Sequence, residues 1–297
     1  MAILSLRNVV KQYHNHRAVD SVSFDVEKQK LFGLLGPNGA GKTSLIRIIT
    51  TITGADEGEI LIDGEQLNSY HPSQLGYMPE ERGLYKKMKV GDQLMYLAQL
   101  KGLDKKEAKQ KIGYWMKKFD IEAWWPKKIE ELSKGMQQKI QFIATVVHDP
   151  KLIIFDEPFS GLDPINTNLI KEEIRQLKEK GTSIIFSTHR MEQVEEICEE
   201  IVLINEGKVI LQGDVNEIKQ NFKENLYKIE FDGEIKSDFS QFDVQSRTAN
   251  SITIKLPADV DGNELIKYAV SLGMHIVSFN EVLPTLNDIF IKQVESN

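Results

Sequence analysis

Apolar and polar positions along the first two thirds of the chain separate short strands from helices. The runs LFGLL, KLIIF and SIIFS are largely apolar, which is typical of strands buried on both faces. Between such runs, apolar residues recur at helical spacing, which predicts amphipathic helices. Strands that alternate with helices predict an α/β fold with a mainly parallel sheet. The predicted strands are 3–9, 21–26, 31–35, 151–155 and 183–187, and the predicted helices are 44–50, 164–179 and 190–198.

Two hairpins are predicted beside this alternation, because short apolar runs flank glycine-containing turn signals. We expect these pairs to contribute antiparallel strands, and the earlier pair to belong to an antiparallel annex of the main sheet. The turns are Asp63-Gly64 within 58–67 and Asn205-Glu206-Gly207 within 201–213.

The stretch 91–148 is predicted to form a helical subdomain. Its apolar residues follow helical spacing, which is interrupted near Gly102, Gly113 and Pro126. Since glycine and proline weaken or stop helices, breaks are expected at these three positions.

The pattern changes near residue 222, which predicts one domain at 1–222 and a small α+β domain at 223–297. A terminal helix is expected to start at Pro284, because proline suits the first turn of a helix. Its apolar residues would share one face, which favours docking on its own domain. In this second domain the predicted strands are 225–231, 250–256 and 275–279, the first helix is 262–272, and the terminal apolar face is Leu286, Ile289, Phe290 and Val294.

Composition and charge narrow the classes of function. The 297 residues suffice for about two domains, and the net charge is −7, with seven Lys/Arg against twelve Asp/Glu in 223–297. An acidic surface repels phosphate backbones, so nucleic acid is not an expected partner. The one cysteine, Cys198, excludes a disulfide framework and is expected to be a buried apolar residue. No apolar run approaches the roughly 18 residues of a membrane span, and no signal peptide is expected.

A phosphate-binding loop lies between the strand 31–35 and the helix 44–50. The segment GPNGAGKT fits the pattern G-x-x-x-x-G-K-[ST], with the strand before it and the helix after it that this pattern requires. Glycines let successive main-chain N–H groups point at phosphate oxygens, Lys42 adds positive charge, and the Thr43 hydroxyl suits Mg²⁺. A glycine-rich turn without a ligand is disfavoured, because the full pattern occurs in the right place. The cofactors are thus expected to be ATP and Mg²⁺, bound by Gly36, Pro37, Asn38, Gly39, Ala40, Gly41, Lys42, Thr43 and Ser44.

Two carboxylates close the later apolar strand in LIIFDEP. Asp156 and Glu157 stand where ligands bind in open α/β sheets, at the carboxyl end of a strand. Asp156 suits Mg²⁺, and Glu157 suits the polarisation of the water that attacks the γ-phosphate. Alone, the pair would be an ordinary strand end; beside a phosphate loop it predicts ATP hydrolysis, with Lys42 as a further catalytic residue.

Five motifs in order resemble those of the ABC ATPases. They are the phosphate loop, LSKGMQQKI at 132–140, LIIFDEP, SGLD at 160–163 and STH at 187–189, and the resemblance covers about residues 1–222. It implies a P-loop NTPase core in which two nucleotide-binding subunits face each other head to tail. ATP is then held between the phosphate loop of one subunit and the signature segment LSKGM of the other.

The resemblance also implies roles for single residues. Ser133 and Gly135 would meet the γ-phosphate held by a second ATPase subunit, here expected to be a copy of the same chain. Asp163 would lie at that dimer interface, His189 would contact the γ-phosphate as a catalytic switch, and Tyr13 would stack on adenine.

The sequence departs from the family pattern in two places. The usual LSGGQ is LSKGM here, so Lys134 and Met136 replace a glycine and a glutamine. Lys134 would either add positive charge near the γ-phosphate or point to solvent. The family's glutamine after the middle strands is Glu80, whose carboxylate can reach Mg²⁺ but cannot donate a hydrogen bond.

PEERGLY, LSKGM and the C-terminal ending resemble the ATPase subunits of bacterial exporters of the drug, antibiotic or sodium-efflux type. This resemblance implies multi-span membrane permease subunits as partners and a place on the cytoplasmic face of the cell membrane. A non-transport ABC ATPase acting in translation or DNA maintenance is the alternative. It is less favoured, because the chain has one phosphate loop and no heptads or cysteine clusters between its two nucleotide motifs.

Overall fold

The computed structural model describes residues 1–81, 83–233, 239–257 and 259–295. The chain divides into two compact units, Met1–Asp214 and Val215–Asn297. The predicted domain bounds 1–222 and 223–297 stay a prediction. Arg82, part of the predicted segment PEERGLY, lies outside the described residues.

The first unit contains ten strands and six α-helices within its described residues. The strands are β1 Ala2–Tyr13, β2 His16–Glu27, β3 Leu31–Leu35, β4 Glu57–Ile62, β5 Glu65–Gln66, β6 Leu75–Met78, β7 Leu152–Asp156, β8 Ser183–Thr188, β9 Glu200–Asn205 and β10 Lys208–Asp214. The helices are α1 Lys42–Ile49, α2 Val90–Leu100, α3 Lys105–Lys118, α4 Lys134–Val146, α5 Pro164–Glu179 and α6 Met191–Ile197.

The largely apolar strands form a six-stranded sheet in the order β10-β9-β3-β8-β7-β6. All neighbours in it are parallel except β9 and β10, which form the predicted hairpin. Parallel strands have their carboxyl ends at one edge, so β3, β7 and β8 deliver the residues that follow them to the same place. The α/β fold with a mainly parallel sheet is confirmed.

A second sheet of the first unit, in the order β2-β1-β4-β5, is antiparallel and confirms the annex. Apolar residues of β1, β3 and α1, including Leu4, Leu34 and Ile46, belong to one buried cluster. The burial of this cluster therefore fixes α1, and with it the phosphate loop, between the two sheets.

The stretch 91–148 is mostly helical, as predicted, but the break expected at Gly113 is wrong. Helix α3 runs through this position, and a Cβ built there would meet nothing within 4 Å. An exposed glycine in a helix costs only about 1 kcal/mol. The burial of Ala108, Ile112 and Trp115 on the opposite face of α3 offsets this cost.

The second unit has four strands and three helices in the part of the chain that the structure describes. They are α7 Val215–Asn221, β11 Leu226–Asp232, β12 Asp243–Arg247, β13 Ser251–Lys255, α8 Gly262–Ser271, β14 His275–Val282 and α9 Leu286–Glu295. The strands form an antiparallel sheet in the order β12-β13-β11-β14. Ile229, Ile254 and Leu265 lie in its apolar core, which confirms the α+β character.

Two predictions for this unit need correction. Strand β12 was not expected, because all its residues are exposed and give no alternating pattern; only its pairing with β13 defines it. The last helix begins at Leu286, not at Pro284. The Thr285 N–H donates to Asp288 Oδ2 at 3.0 Å, and the Asp288 N–H donates to Thr285 Oγ1 at 3.1 Å. This reciprocal capping fixes the helix start.

None of the described helices has the length and apolarity needed to cross a membrane. Cys198 is buried, as predicted.

Candidate functional site

The phosphate loop occupies the carboxyl end of β3 and leads into α1, which starts at Lys42. Gly39 and Gly41 have φ values of +82° and +106°, in the left-handed region that favours glycine. A Cβ at Gly41 would lie 2.2 Å from the Ala18 oxygen, and one at Gly36 would lie 2.1 Å from the Ile204 oxygen. The main chain therefore curls tightly against β2 and β9, and larger residues at Gly36 and Gly41 would displace it.

Lys42 is buried in this loop. Its Nζ donates to the main-chain oxygens of Gly36 at 2.6 Å and Pro37 at 3.0 Å. Burial lowers the pKa of Lys42, and the nearby Glu157, Asp156 and Glu80 carboxylates oppose that shift. The lysine thus places a positive charge within the loop that the glycines shape.

Asp156 is the last residue of β7 and is aligned with Ser187 of the parallel strand β8. This register lets Ser187 Oγ donate to Asp156 Oδ1 at 2.8 Å. Burial raises the pKa of Asp156, an effect that the Ser187 hydrogen bond opposes. A divalent cation would favour the ionised carboxylate, because it offsets the cost of burying that charge.

Glu157 follows with a φ of +48°, which is uncommon for a residue with a side chain. Its carboxylate accepts hydrogen bonds from Thr188 Oγ1 at 3.0 Å and from the His189 N–H at 2.9 Å. His189 Nδ1 lies 2.6 Å from Glu157 Oε1, so the tautomer protonated at Nδ1 donates a third bond. The end of β8 therefore fixes the direction of this carboxylate.

One cavity of about 280 Å³ brings most of the predicted site residues together. Its position at the carboxyl ends of β3 and β7 is where open α/β sheets bind ligands. It is lined by Tyr13, His16, Ala18, Asn38, Gly39, Ala40, Gly41, Lys42, Thr43, Ser44, Glu80, Asp156 and Glu157.

The three predicted metal ligands belong to the lining of a second cavity as well. Thr43, Glu80 and Asp156 also line an adjoining cavity of about 500 Å³. Their hydroxyl and carboxylate oxygens are the donors that Mg²⁺ prefers, and Mg²⁺ usually keeps waters and phosphate oxygens as its remaining ligands. Within the described ranges there is no group of three or more His, Cys, Asp or Glu residues that would hold a metal by itself. The donor set fits a cation that arrives with a phosphate.

Tyr13 stands at the end of β1 and at the mouth of the phosphate cavity. Its side chain is 37% exposed, and Lys11 Nζ lies 5.6 Å from the ring centroid. One face of the ring therefore has a cation beside it, while the rest is open enough to stack on a planar ligand.

Ser133 and Gly135 lie at the start of α4 and, in the structure as described, do not line the phosphate cavity. Ser133 Oγ accepts from the Met136 N–H at 3.3 Å, so it caps the helix. Lys134 is exposed. The structure thus places the signature segment outside the lining of the phosphate cavity of the same chain.

Asp163 caps the following helix, α5. Its carboxylate accepts from the Asn166 N–H at 2.9 Å and from Asn166 Nδ2. Both hydrogen bonds hold the pKa of Asp163 below its usual value, and the main-chain bond has the larger effect. The residue therefore remains ionised at the start of α5 at neutral pH.

Four residues that bond to the site acids or to the prolines beside them were assigned no role from the sequence, although three of them stand in the motifs STH and LSKGMQQKI. Ser187 and Thr188 donate to Asp156 and Glu157, and their signal would have been hydroxyl residues at the end of a strand parallel to β7. Gln138 and Gln141 of α4 were missed as well. The available signal was the presence of two glutamines among the apolar residues Ile140, Phe142 and Ile143 of α4.

Family models of known proteins match parts of both units. The family model described as "ABC transporter" matches residues 19–160, and the one described as "ATP-binding protein DrrA1-3-like, C-terminal domain" matches 213–294. The uncharacterized ABC transporter ATP-binding protein YhaQ of Bacillus subtilis is 44% identical over 98% of both chains. The linearmycin resistance ATP-binding protein LnrL of Bacillus subtilis is 35% identical over 71% of this chain and 69% of its own length.

A solved structure described as the ATP binding subunit of an ABC transporter has the same fold as the first unit. It is 29% identical in sequence, covers 74% of this chain and 93% of its own, and superposes with a TM-score of 0.70.

Proposed function

The chain belongs to the ABC transporter ATP-binding proteins, and we propose that it is the ATP-hydrolysing motor of a membrane exporter, working as a pair of identical copies. As a member of this family it is an ABC-type ATPase with a P-loop NTPase core. The observation that carries the proposal is the cavity in which Lys42, Thr43, Asp156 and Glu157 converge. A site that only binds phosphate would not need a carboxylate that hydrogen bonds hold in one direction beside the lysine.

The reaction we infer is the hydrolysis of ATP to ADP and phosphate. Main-chain N–H groups of the phosphate loop and the Lys42 ammonium bind the β- and γ-phosphates. Glu157 orients a water and accepts its proton as the oxygen attacks the γ-phosphorus, and the bond to the bridging oxygen of ADP breaks. His189, hydrogen-bonded to Glu157, keeps the carboxylate aimed at that water.

Thr43, Asp156 and Glu80 would hold Mg²⁺ together with the nucleotide. When bound, the cation neutralises charge that develops on the phosphate oxygens. Glu80 stands where the family has a glutamine, and a carboxylate binds Mg²⁺ at least as well as an amide oxygen does. The adjoining cavity, shared by all three side chains, supports this assignment.

The pairing of two copies is inferred from the position of the signature segment. Ser133 and Gly135 start a helix, where N–H groups and the helix dipole favour an anion. They do not line the cavity of their own chain, as far as the described residues go. A second copy arranged head to tail would bring them to the γ-phosphate, with Asp163 at the interface and Tyr13 on the adenine.

Mixing two inactive variants tests this sharing. Ser133→Arg places a bulky side chain where the partner's γ-phosphate would lie, so it disables the site of the neighbouring copy, whereas Lys42→Ala disables the site of its own chain. We expect each variant alone to be inactive and a mixture of the two to regain activity, because one site of each mixed pair combines an intact Lys42 with an intact Ser133. Ser271→Arg, at an exposed position in the second unit, is the matched control and should leave activity unchanged. A mixture as inactive as its two components argues against shared sites.

The export role is supported by one relative and by the family model of the C-terminal region. LnrL is named for linearmycin resistance, and a DrrA-like C-terminal domain follows the ATPase unit. The net charge of −7 disfavours nucleic acid as a partner, so action in translation or DNA maintenance is less favoured. We infer that the chain binds multi-span permease subunits on the cytoplasmic face of the membrane. Purification from native membranes should recover it with a multi-span protein; recovery only with ribosomes or DNA contradicts the transport role.

A further inference from the structure

Two buried glutamines of α4 donate to main-chain oxygens beside the acids of the ATP site. Gln138 Nε2 donates to the Pro158 oxygen at 2.8 Å, and Gln141 Nε2 donates to the Pro79 oxygen at 2.7 Å. The two side chains are only 3% and 4% exposed. Breaking either bond would leave buried polar groups unpaired, which costs free energy.

Each of these bonds anchors a segment that carries a site carboxylate. Pro158 directly follows Glu157, and Pro79 directly precedes Glu80. Proline has no N–H, so the carbonyl oxygen is the one main-chain polar group through which either proline residue can be held. The glutamines therefore fix the two loops at the residue next to the acid, without contacting the acid itself.

The two anchors lie on a single helix, so a displacement of that helix would act on both. Residues three positions apart project from the same helix face, and α4 is continuous from Lys134 to Val146. Its first turn is capped by Ser133, the residue expected to meet the phosphate of a second copy. A displacement at the start of α4 would thus reach both loops together.

Gln141 carries a further mark of function. Its Oε1 is buried and has no hydrogen-bond partner among the described residues. An unsatisfied buried acceptor destabilises a folded protein. A leucine or methionine would fill this volume without that cost, so the bond to Pro79 is the contribution that accounts for a glutamine here.

We propose that Gln138 and Gln141 are positioning residues of the ATPase reaction, with Gln138 aligning the segment of Glu157 and Gln141 aligning the segment of Glu80. The inference rests on the proposed function. The two residues have different roles: Gln138 acts on the chemical step, and Gln141 acts on the binding of Mg²⁺ with the nucleotide.

The test uses Gln138→Met and Gln141→Met in the full-length chain, since methionine keeps the length of the side chain and removes the amide. For Gln138→Met we expect kcat to fall about tenfold with an unchanged Kd for ATP, because small displacements of a catalytic group are costly. For Gln141→Met we expect the Mg²⁺ concentration that half-saturates binding of a fluorescent ATP analogue to rise about tenfold. Its kcat at saturating Mg²⁺ should stay within about twofold, because no transition-state contact is removed.

Thr145→Val is the matched control. Thr145 is buried on the same helix, and its Oγ1 donates to the Gln141 main-chain oxygen at 2.9 Å. This variant should lower Tm without changing kcat, the Kd for ATP or the Mg²⁺ dependence. If a methionine variant does not fold, the corresponding leucine variant replaces it.

The outcomes separate this inference from the proposed function. Loss of ATP binding in Lys42→Ala, with native parameters in both glutamine variants, overturns the positioning roles and leaves the ATP site intact. Equal changes of kcat and Mg²⁺ dependence in both glutamine variants overturn the division of labour. Native binding and turnover in Lys42→Ala remove the proposed function itself.

Discussion

The unit Met1–Asp214 buries charged side chains, among them Lys42, Asp156 and Glu157, whereas every buried side chain described in Val215–Asn297 is apolar. Burying a charge costs free energy unless it is paired, and perturbed buried charges cluster at functional sites. The first unit therefore retains groups that weaken its fold and that ATP and Mg²⁺ would compensate.

The second unit shows what the same chain does without such a site. Its core of Ile229, Phe231, Ile252, Ile254 and Leu265 needs no polar compensation. Substitutions in this core should act on stability alone. Substitutions at the buried charges that line the ATP site of the first unit should act on activity, and some should stabilise the fold. The three predictions below test this contrast.

The largest effect is expected for Glu157→Gln. Removing the proton acceptor should lower kcat by about 100-fold or more, as for other general bases. The Kd for ATP should not change, because the lysine and the phosphate loop remain. Turnover assays and nucleotide-binding measurements on the same preparation check this.

Glu173→Gln is the matched control in the same unit. Glu173 is a buried glutamate of α5 paired with Lys118, and it does not line the phosphate cavity. It should lose stability while keeping kcat. Native turnover in Glu157→Gln would mean that the assigned base is wrong.

A smaller effect, confined to stability, is expected for Ile229→Ala in the second unit. Ile229 is fully buried, and truncating such a residue costs about 2–5 kcal/mol in the free energy of unfolding. Urea unfolding followed by circular dichroism should show the shift, and kcat per folded molecule should be native. Val277→Ala, at an exposed position of β14, should change stability by less than about 0.5 kcal/mol. A drop in kcat for Ile229→Ala would remove the contrast between the units.

The smallest effect is expected for the stability of Asp156→Asn without nucleotide. Burial raises the pKa of Asp156 above 3.8, so the folded chain binds this proton more readily than the unfolded chain does. The ionised carboxylate therefore lowers stability as pH rises from 3.8 through the raised pKa. Asparagine cannot ionise, and its side-chain oxygen can still accept from Ser187.

Asp156→Asn should accordingly have a higher Tm than the unmodified protein at pH 7, and the difference should shrink towards pH 4. The additional stabilisation by Mg²⁺ with ATP should be lost in the variant. Thermal melts at several pH values check both points. A lower Tm at pH 7 would show that Asp156 stabilises the nucleotide-free fold.

The sequence specified the local features of the site. The spacing of GPNGAGKT requires a strand, a tight turn and a helix in succession, and the structure has β3, the loop and α1 in that order. The apolar run before Asp156 predicted that this residue stands at the end of a strand. Strand β12 shows the limit of such reasoning, because five exposed residues carry no periodic signal and form a strand only through pairing with β13.

Only the tertiary structure decided which groups hold the acids. Glu157 bonds to residues 31 and 32 positions away, and Gln138 and Gln141 bond to residues 20 and 62 positions away. Local periodicity specifies which face of an element is buried, but it carries no information about which element packs beside it. The order of the strands and the position of α4 supply that information. They determine which residues bond to the two carboxylates and to the segments beside them, and thereby orient the site.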